Sequence, residues 1–123
     1  MKRDMDLVRE ILLRTEELTP GKPWGNNSFE SEAYSAQEVN YHAILLIKAE
    51  FVEGKLFQPG DYSVPLWNIQ DLTWKGHEFL DATRDDTIWK KVKSEIAAKG
   101  SSFTLGLIIN LANKLLREQF NLE

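Results

Sequence analysis

Apolar and polar residues recur with the period of an α-helix in the segment that follows Ser35. Ser35 and Glu38 have the spacing of a capping box, in which each side chain hydrogen-bonds a backbone N–H that the first helical turn leaves free. A helix is therefore predicted over residues 36–49. Its apolar face is expected to be buried. This face consists of Val39, His42, Leu46 and Ala49, flanked by Ala43 and Leu45.

The opposite face of this helix is expected to point into solvent. It consists of Gln37, Asn40, Tyr41, Ile44 and Lys48. Because side chains three or four residues apart are neighbours on a helix surface, these residues form one continuous stripe. Any recognition of another macromolecule is predicted to occur on this stripe.

The same helical period predicts further helices before and after the central one. The first helix follows an N-cap at Asp4 or Asp6 and ends before the prolines and glycine of residues 19–23. One helix is predicted to follow Thr73, and another to follow the cap formed by residues 85–87.

Strand-like runs separate these helices. Residues 51–57 and 66–72 read as two strands, and the prolines and glycine of residues 58–65 are typical of a long hairpin connection. Residues 29–34 alternate in polarity, which predicts a short strand before the central helix.

The last helix is predicted to begin at Ser101 or Ser102 and has an unusually wide apolar face. The residues of this face are Leu105, Leu107, Ile108, Ile109, Leu111, Ala112, Leu115 and Leu116. An apolar face this wide must be buried against another part of the protein or against a second copy. We therefore expect either deep burial against the first helix or a homodimer contact through the last one.

The composition indicates an ordinary globular chain. Its 123 residues, 42% of them hydrophobic, suffice for one domain with a substantial core. The absence of cysteine excludes a disulfide framework and a thiolate metal site. The N-terminus turns acidic before any apolar run, and the longest uncharged stretch, residues 100–113, falls short of the roughly 18–20 residues that cross a bilayer. We expect a cytoplasmic protein with no membrane partner.

The charge distribution bears on nucleic-acid binding. The net charge is -4, which weighs against sequence-independent binding to phosphate backbones. Residues 30–53, which contain the central helix, have five acidic residues and one lysine, Lys48. The predicted hairpin adds only Lys55. This segment therefore has no cluster of basic residues that could form a positive face.

No pattern of residues predicts an enzyme. Nucleophile arrangements, phosphate-cradling glycine loops and acid–base pairs are all missing. His77 and Asp81 lie four residues apart, but we interpret them as part of a hydrogen-bonded helix start, and His42 as a packed core histidine. No catalytic residue, metal site or cofactor is predicted.

Two junctions resemble those of winged helix-turn-helix modules. The pattern of apolar residues from Val39 to Val52 is similar to the end of a recognition helix and the entry to the wing, and residues 72–76 are similar to the Leu-Thr-x-x-Gly turn after the second wing strand. We therefore predict a mostly helical α+β fold. Its winged-helix-like core (helix, short strand, helix, β-hairpin wing) spans residues 1–84. A C-terminal helical extension, residues 85–123, packs on the core to form a single compact domain.

A closer resemblance covers nearly the whole chain. Residues 1–9, 38–42 and 72–89 are similar to a family of small, uncharacterised bacterial and phage proteins classed as a domain of unknown function. The resemblance implies no particular activity. It implies a winged-helix-like fold, and the family's occurrence in phages and prophages points to gene regulation or host interaction. A complete helix-turn-helix would also require residues 26–33 to be helical and not extended.

Two functions are the main hypotheses from these patterns, and an enzyme that uses His77 and the nearby acidic residues is a third, weaker alternative. In the first hypothesis, the chain is a transcription-regulator-like protein that binds double-stranded DNA, because the Gln and Asn of the outward stripe suit bidentate contacts with adenine. In the second, it is a protein–protein interaction module, a phage or host factor that has lost DNA binding. The residues assigned to DNA or partner binding are Gln37, Asn40, Tyr41, Ile44, Lys48 and Lys55.

Overall fold

The computed structural model of the chain describes residues 1–29, 31–61, 63–100 and 102–121. Over these residues the fold consists of helices and one small antiparallel sheet. The elements are α1 (Met5–Glu16), β1 (Trp24–Gly25), α2 (Ala36–Lys48), β2 (Val52–Phe57), β3 (Leu66–Leu72), α3 (Trp74–Thr83), α4 (Asp86–Ala98) and α5 (Leu105–Gln119). The strand order in the sheet is β1-β3-β2. The predicted α+β class, mostly helical, is confirmed.

The chain divides into two compact units, Met1–His77 and Glu78–Glu123. The first unit holds α1, the sheet, α2 and the start of α3, and the second holds the rest of α3 with α4 and α5. The predicted division into residues 1–84 and 85–123, and the packing of the second part on the first, stay predictions.

Local capping interactions set the starts of the helices of the first unit. Asp4 caps α1, and its Oδ1 accepts hydrogen bonds from the backbone N–H of Asp6 (2.9 Å) and of Leu7 (3.2 Å). The predicted capping box of Ser35 and Glu38 is present at the start of α2. Such a cap typically contributes about 1 kcal/mol, so both helix starts are encoded within a few residues of chain.

The buried face of α2 is the one that the apolar period predicts. Val39, His42, Ala43 and Leu46 are buried. Ala49 is exposed, contrary to the expectation, because α2 ends at Lys48 and Ala49 is its C-cap.

The core of the first unit lies between α1, α2 and the sheet. Its fully buried apolar side chains include Leu7, Ile11, Leu12 and Ile69. Burying a side chain of this size contributes about 1.5–3 kcal/mol, so each of these residues stabilises the unit measurably.

The predicted hairpin is present, and its register assigns each side chain to a face of the sheet. Gly54 pairs with Ile69, and Leu56 pairs with Trp67, after a β-bulge at residues 53–54. A Cβ on Gly54 would lie 2.9 Å from Cγ1 of Ile47, so this side of β2 faces α2. Because successive strand residues point to opposite faces, Lys55 and Phe57 lie on the face away from α2.

The prediction of a strand at residues 29–34 is wrong for the residues that are described; Glu30 lies outside them. The short strand is instead β1, which pairs with β3 through Trp24↔Ile69 and Gly25↔Asn68. Trp24 is buried, and its ring lies 5.4 Å from that of Trp67 in an edge-on contact. Phe29 is buried against Trp24, with ring centroids 5.6 Å apart, but the described residues 31–34 that follow it have no buried side chain that could fix a strand there.

Helical structure is absent between α1 and α2 in the described residues 17–29 and 31–35. Pro20, Gly21 and Pro23 disfavour a helix at the start of this segment, and Gly21 adopts a positive φ of 82°. A complete helix-turn-helix is therefore not formed in the described residues. The order of helix, short strand, helix and hairpin is observed, but its short strand is β1 and not the predicted residues 29–34. Assignment to the winged-helix class stays a prediction.

In the second unit, α4 begins after its predicted cap, Asp85, whose Oδ1 accepts from the N–H of Ile88 (3.0 Å). Helix α5 begins later than predicted, after the N-cap Thr104 and not after Ser102; Ser101 lies outside the described residues. On α5, Ile108 and Ala112 are buried, whereas the remaining apolar positions of its face are partly or largely exposed. Homodimerisation through this helix stays a prediction. Across the described residues, every helix is too short or too polar to span a membrane.

Candidate functional site

An apolar groove lies between the outward face of α2 and the connection from β2 to β3. Its volume is about 570 Å³, within the range of about 300–1,000 Å³ that is usual for ligand pockets. Its described lining consists of Gln37, Asn40, Tyr41 and Ile44 from α2 with Val64 and Pro65 from the connection. The structure thus gathers four of the six predicted binding residues in one site, with two neighbours that the helical period could not indicate.

Asn40 lines this groove, but its side-chain oxygen is not free to contact DNA bases. Its Oδ1 accepts a hydrogen bond from Nε1 of Trp67 (2.9 Å) and a longer one from Nδ2 of Asn26 (3.4 Å). The indole is buried, so its N–H depends on a protein partner. Asn40 therefore fixes α2 to β3, and its side chain is half-buried, contrary to the expectation of a fully outward residue.

Asn26 extends the sheet with its side chain. Its Oδ1 accepts from the backbone N–H of Trp67 (2.8 Å), and its Nδ2 donates to the carbonyl oxygen of Pro65 (3.1 Å). The side-chain amide thus continues the β1–β3 pairing by one position and holds Pro65 in the groove wall. Sequence reasoning missed this residue, since a single Asn in a loop carries no signal of a partner 41 residues away.

We predict that Asn40→Ala lowers the free energy of unfolding by about 1–2 kcal/mol, because it leaves the buried N–H of Trp67 without an acceptor. Gln37→Ala, on the exposed part of the same stripe, should change it by less than about 0.5 kcal/mol. Urea denaturation followed by circular dichroism measures both values. Equal effects of the two substitutions would contradict the structural role of Asn40.

The open part of the groove is apolar. Tyr41 is 36% exposed and Val64 is 63% exposed, and Ile44 is half-buried. The ring of Tyr41 contacts that of buried His42 edge-on, with centroids 5.5 Å apart, which places its base against the core. These side chains present a surface that water solvates poorly at the point where the sequence predicted recognition.

The hairpin beside the groove is apolar where a DNA-binding wing would be basic. Its exposed apolar residues are Leu56, Phe57, Val64 and Leu66. Lys55 projects from the sheet face opposite to α2, and Lys48 lies in the last turn of α2. Neither lysine belongs to the described lining of the groove. The two cations predicted to contact DNA are thus not gathered with the other four residues.

His42 has a structural position. Its Nε2 accepts the backbone N–H of Asp4 (2.8 Å), so the ring proton is on Nδ1, which donates to the carbonyl oxygen of Glu38 (2.8 Å). The imidazole joins the N-cap of α1 to the first turn of α2. Elsewhere in the described chain, no three His, Asp or Glu side chains are grouped in a way that could hold a metal ion.

Comparisons with known proteins show that all the residues lining the groove lie within the region that matches a protein family. The family described as "Hypothetical protein (DUF2513)" matches residues 2–102. A protein of Haemophilus influenzae named "Uncharacterized protein" is 33% identical over 122 residues, which cover 96% of this chain and 98% of that protein. No solved structure matches the chain. The predicted resemblance to a small, uncharacterised bacterial family is confirmed.

Proposed function

We propose that this chain, which belongs to the family described as "Hypothetical protein (DUF2513)", is a protein-interaction module. It binds a segment of a partner polypeptide. The observation that carries this proposal is the groove between α2 and the hairpin connection, which is lined by exposed apolar side chains. Exposed apolar surface next to a concave site is the usual mark of a binding surface in soluble proteins.

The arrangement of polar groups favours a polypeptide over DNA as the partner. Asn40, one of the two residues with the geometry to read adenine, is occupied by Trp67 and Asn26. The groove is walled by Tyr41 and Val64, which offer apolar contact area and no positive charge. Phosphate backbones require Lys or Arg at the contact surface, whereas apolar side chains of a peptide fit such a wall without them.

Selection from a random peptide library displayed on phage tests this proposal. We expect peptides with at least one large apolar residue to be enriched on the wild-type protein. Their binding should weaken at least tenfold in Tyr41→Ala/Val64→Ser, because a buried anchor contributes more than about 1.4 kcal/mol to binding. Fluorescence anisotropy of labelled synthetic peptides measures the affinities.

The matched control is Phe57→Ser/Leu66→Ser. Phe57 is 63% exposed, as Val64 is, and pairs with Leu66 on the sheet face away from α2. The control should bind the selected peptides like the wild type. Absence of any enriched peptide, or equal weakening by both double variants, would contradict the proposal. So would a dimer that the Tyr41→Ala/Val64→Ser variant dissociates in light-scattering measurements, since a second copy would then occupy the groove.

DNA binding is the second candidate function. The observation that favours it is the exposure of Gln37, Lys48 and Lys55, which are half of the residues predicted to contact DNA. An electrophoretic mobility shift at low salt, where electrostatic binding is strongest, tests it with genomic fragments. The protein-interaction proposal expects no retardation at micromolar protein. Retardation that is lost in Lys48→Ala/Lys55→Ala would favour DNA binding instead.

A further inference from the structure

Resting on the proposed function, we infer that the groove binds a positively charged polypeptide segment, in which an apolar side chain is flanked by Lys or Arg. The apolar side chain of the partner packs against the wall formed by Tyr41 and Val64. The flanking cations face the carboxylates that the same segment of this chain displays around the groove.

The net charge of the protein is concentrated in the segment that builds the groove. Residues 31–72, which comprise α2 and the hairpin, contain six acidic residues and two lysines. The acidic residues are Glu32, Glu38, Glu50, Glu53, Asp61 and Asp71. The charge of this segment is therefore -4, equal to that of the entire chain, so the remaining residues are neutral in sum. Such an excess attracts cationic partners and repels nucleic acid.

Two of these carboxylates, Glu38 and Asp61, lie close in the chain to residues that line the groove. Glu38 is adjacent to Gln37 and three residues before Tyr41, so it borders the groove on the surface of α2. Its Oε1 accepts the backbone N–H of Ser35 (3.1 Å), which holds the carboxylate in place. On the hairpin side, Asp61 is exposed and precedes the lining residue Val64 by three positions.

The turn that carries Asp61 is held together by its own hydrogen bonds. The Nε2 of Gln58 donates to the carbonyl oxygens of Gly60 (2.6 Å) and of Ser63 (2.5 Å), and the N–H of Ser63 donates to Gly60 (3.3 Å). These bonds restrict the turn. The backbone that flanks Asp61 is therefore partly preorganised, which lowers the entropy cost of binding.

The carboxylate of Glu38 also affects Tyr34, which directly precedes Ser35, the N-cap of α2. Burial, and after it the nearby carboxylates of Asp4, Asp6, Glu10 and Glu38, raise the pKa of the Tyr34 hydroxyl. The start of α2 therefore has several negative charges around it.

Tyr41 adds a third feature that suits a cationic segment. Its ring lines the groove and is 36% exposed, three residues from Glu38 on the same helix. A guanidinium or ammonium group over such a ring gains about 0.5–1 kcal/mol at an exposed site. One aromatic face next to one carboxylate thus accommodates both the stem and the charged head of Lys or Arg.

The selection from the peptide library also tests this inference. The first measurement is the amino-acid composition of the enriched peptides. We expect peptides enriched on the wild type to contain more Lys and Arg than the input library. A synthetic peptide from this set should then bind about three to ten times more weakly to Glu38→Gln/Asp61→Asn, since each exposed charge pair contributes a modest amount. Gln at position 38 retains the capping box, so the fold is preserved.

The control variant is Glu17→Gln/Glu95→Gln, which changes the net charge equally with residues outside 31–72 and should bind like the wild type. Enriched peptides without an excess of Lys and Arg would overturn this inference alone and leave the interaction module standing. If both charge variants weakened peptide binding equally, that result would also overturn this inference alone. A library that yields no enriched peptide would instead overturn the proposed function, and the inference with it.

Discussion

The substitution Gly76→Ala is expected to lower the free energy of unfolding by about 3 kcal/mol, the upper part of the usual range for overpacking. Gly76 lies in the first turn of α3, where its Cα packs against the backbone of Phe51. A Cβ at this position would overlap the carbonyl oxygen of Phe51 and lie 3.2 Å from its carbonyl carbon. Backbone atoms cannot rotate away as a flexible side chain could.

The surrounding hydrogen bonds prevent this contact from relaxing. The carbonyl oxygen of Phe51 accepts the N–H of Thr73 (3.1 Å), and Oγ1 of Thr73 donates to the carbonyl oxygen of Glu50 (2.6 Å). The same Oγ1 accepts the N–H of Gly76 (3.2 Å), as the N-cap of α3. Moving α3 far enough to admit a methyl group would break this set of bonds at the junction between α2 and β2.

Gly106→Ala is the matched control, because Gly106 is also in the first turn of a helix and its Cβ would meet nothing within 4 Å. It should leave stability unchanged or raise it by up to about 1 kcal/mol, the difference in helix propensity. Urea denaturation followed by circular dichroism compares the two variants. If Gly76→Ala were as stable as the wild type, α3 would not start against Phe51.

The substitution His42→Ala is expected to lower the free energy of unfolding by about 2–4 kcal/mol, from an unsatisfied donor together with a cavity. The side chain is 1% exposed, and its two ring nitrogens bond the backbone of Asp4 and of Glu38, both at 2.8 Å. Its removal leaves the N–H of Asp4 without its partner. The N-cap of α1 and the start of α2 then lose their direct link.

His77→Ala is the control for this prediction, since His77 is exposed on α3. Its effect should stay within about 0.5 kcal/mol, as for most surface substitutions. A loss in His42→Ala no larger than this would show that the imidazole does not join the two helices. Loss of the link should also reduce binding of selected peptides, because Glu38, whose carbonyl oxygen accepts from His42, borders the groove.

Features encoded over a few residues could be predicted from the sequence. The cap at Ser35 is where the sequence indicates it, and the caps at Asp4 and Asp85 are among the few candidates that it indicates, because a cap depends only on residues within one turn. The boundaries of α5 were less predictable. Two serines and a threonine near residue 102 are each chemically suited to cap it, and only the backbone conformation at Thr104 decides among them.

The α2 part of the candidate site could also be predicted. The helical period placed Gln37, Tyr41 and Ile44 on one surface, and they line the groove together. The period could not show that Asn40, on the same stripe, bonds a tryptophan 27 residues away. A side-chain amide can contact a partner molecule from the surface or accept a hydrogen bond within the protein. Its chemistry is the same in both roles, so the sequence does not distinguish them.

The amino-acid sequence by itself determined the helices, the hairpin and the outward stripe of α2, because periodicity and capping act between neighbours along the chain. Only the tertiary structure decided the two-residue strand at Trp24, the use of Asn40 and the opposite wall of the groove. Each of these depends on contacts between residues far apart in the chain. Such contacts exist only once the chain has folded, when packing selects one partner for Trp67 among several that the sequence would permit.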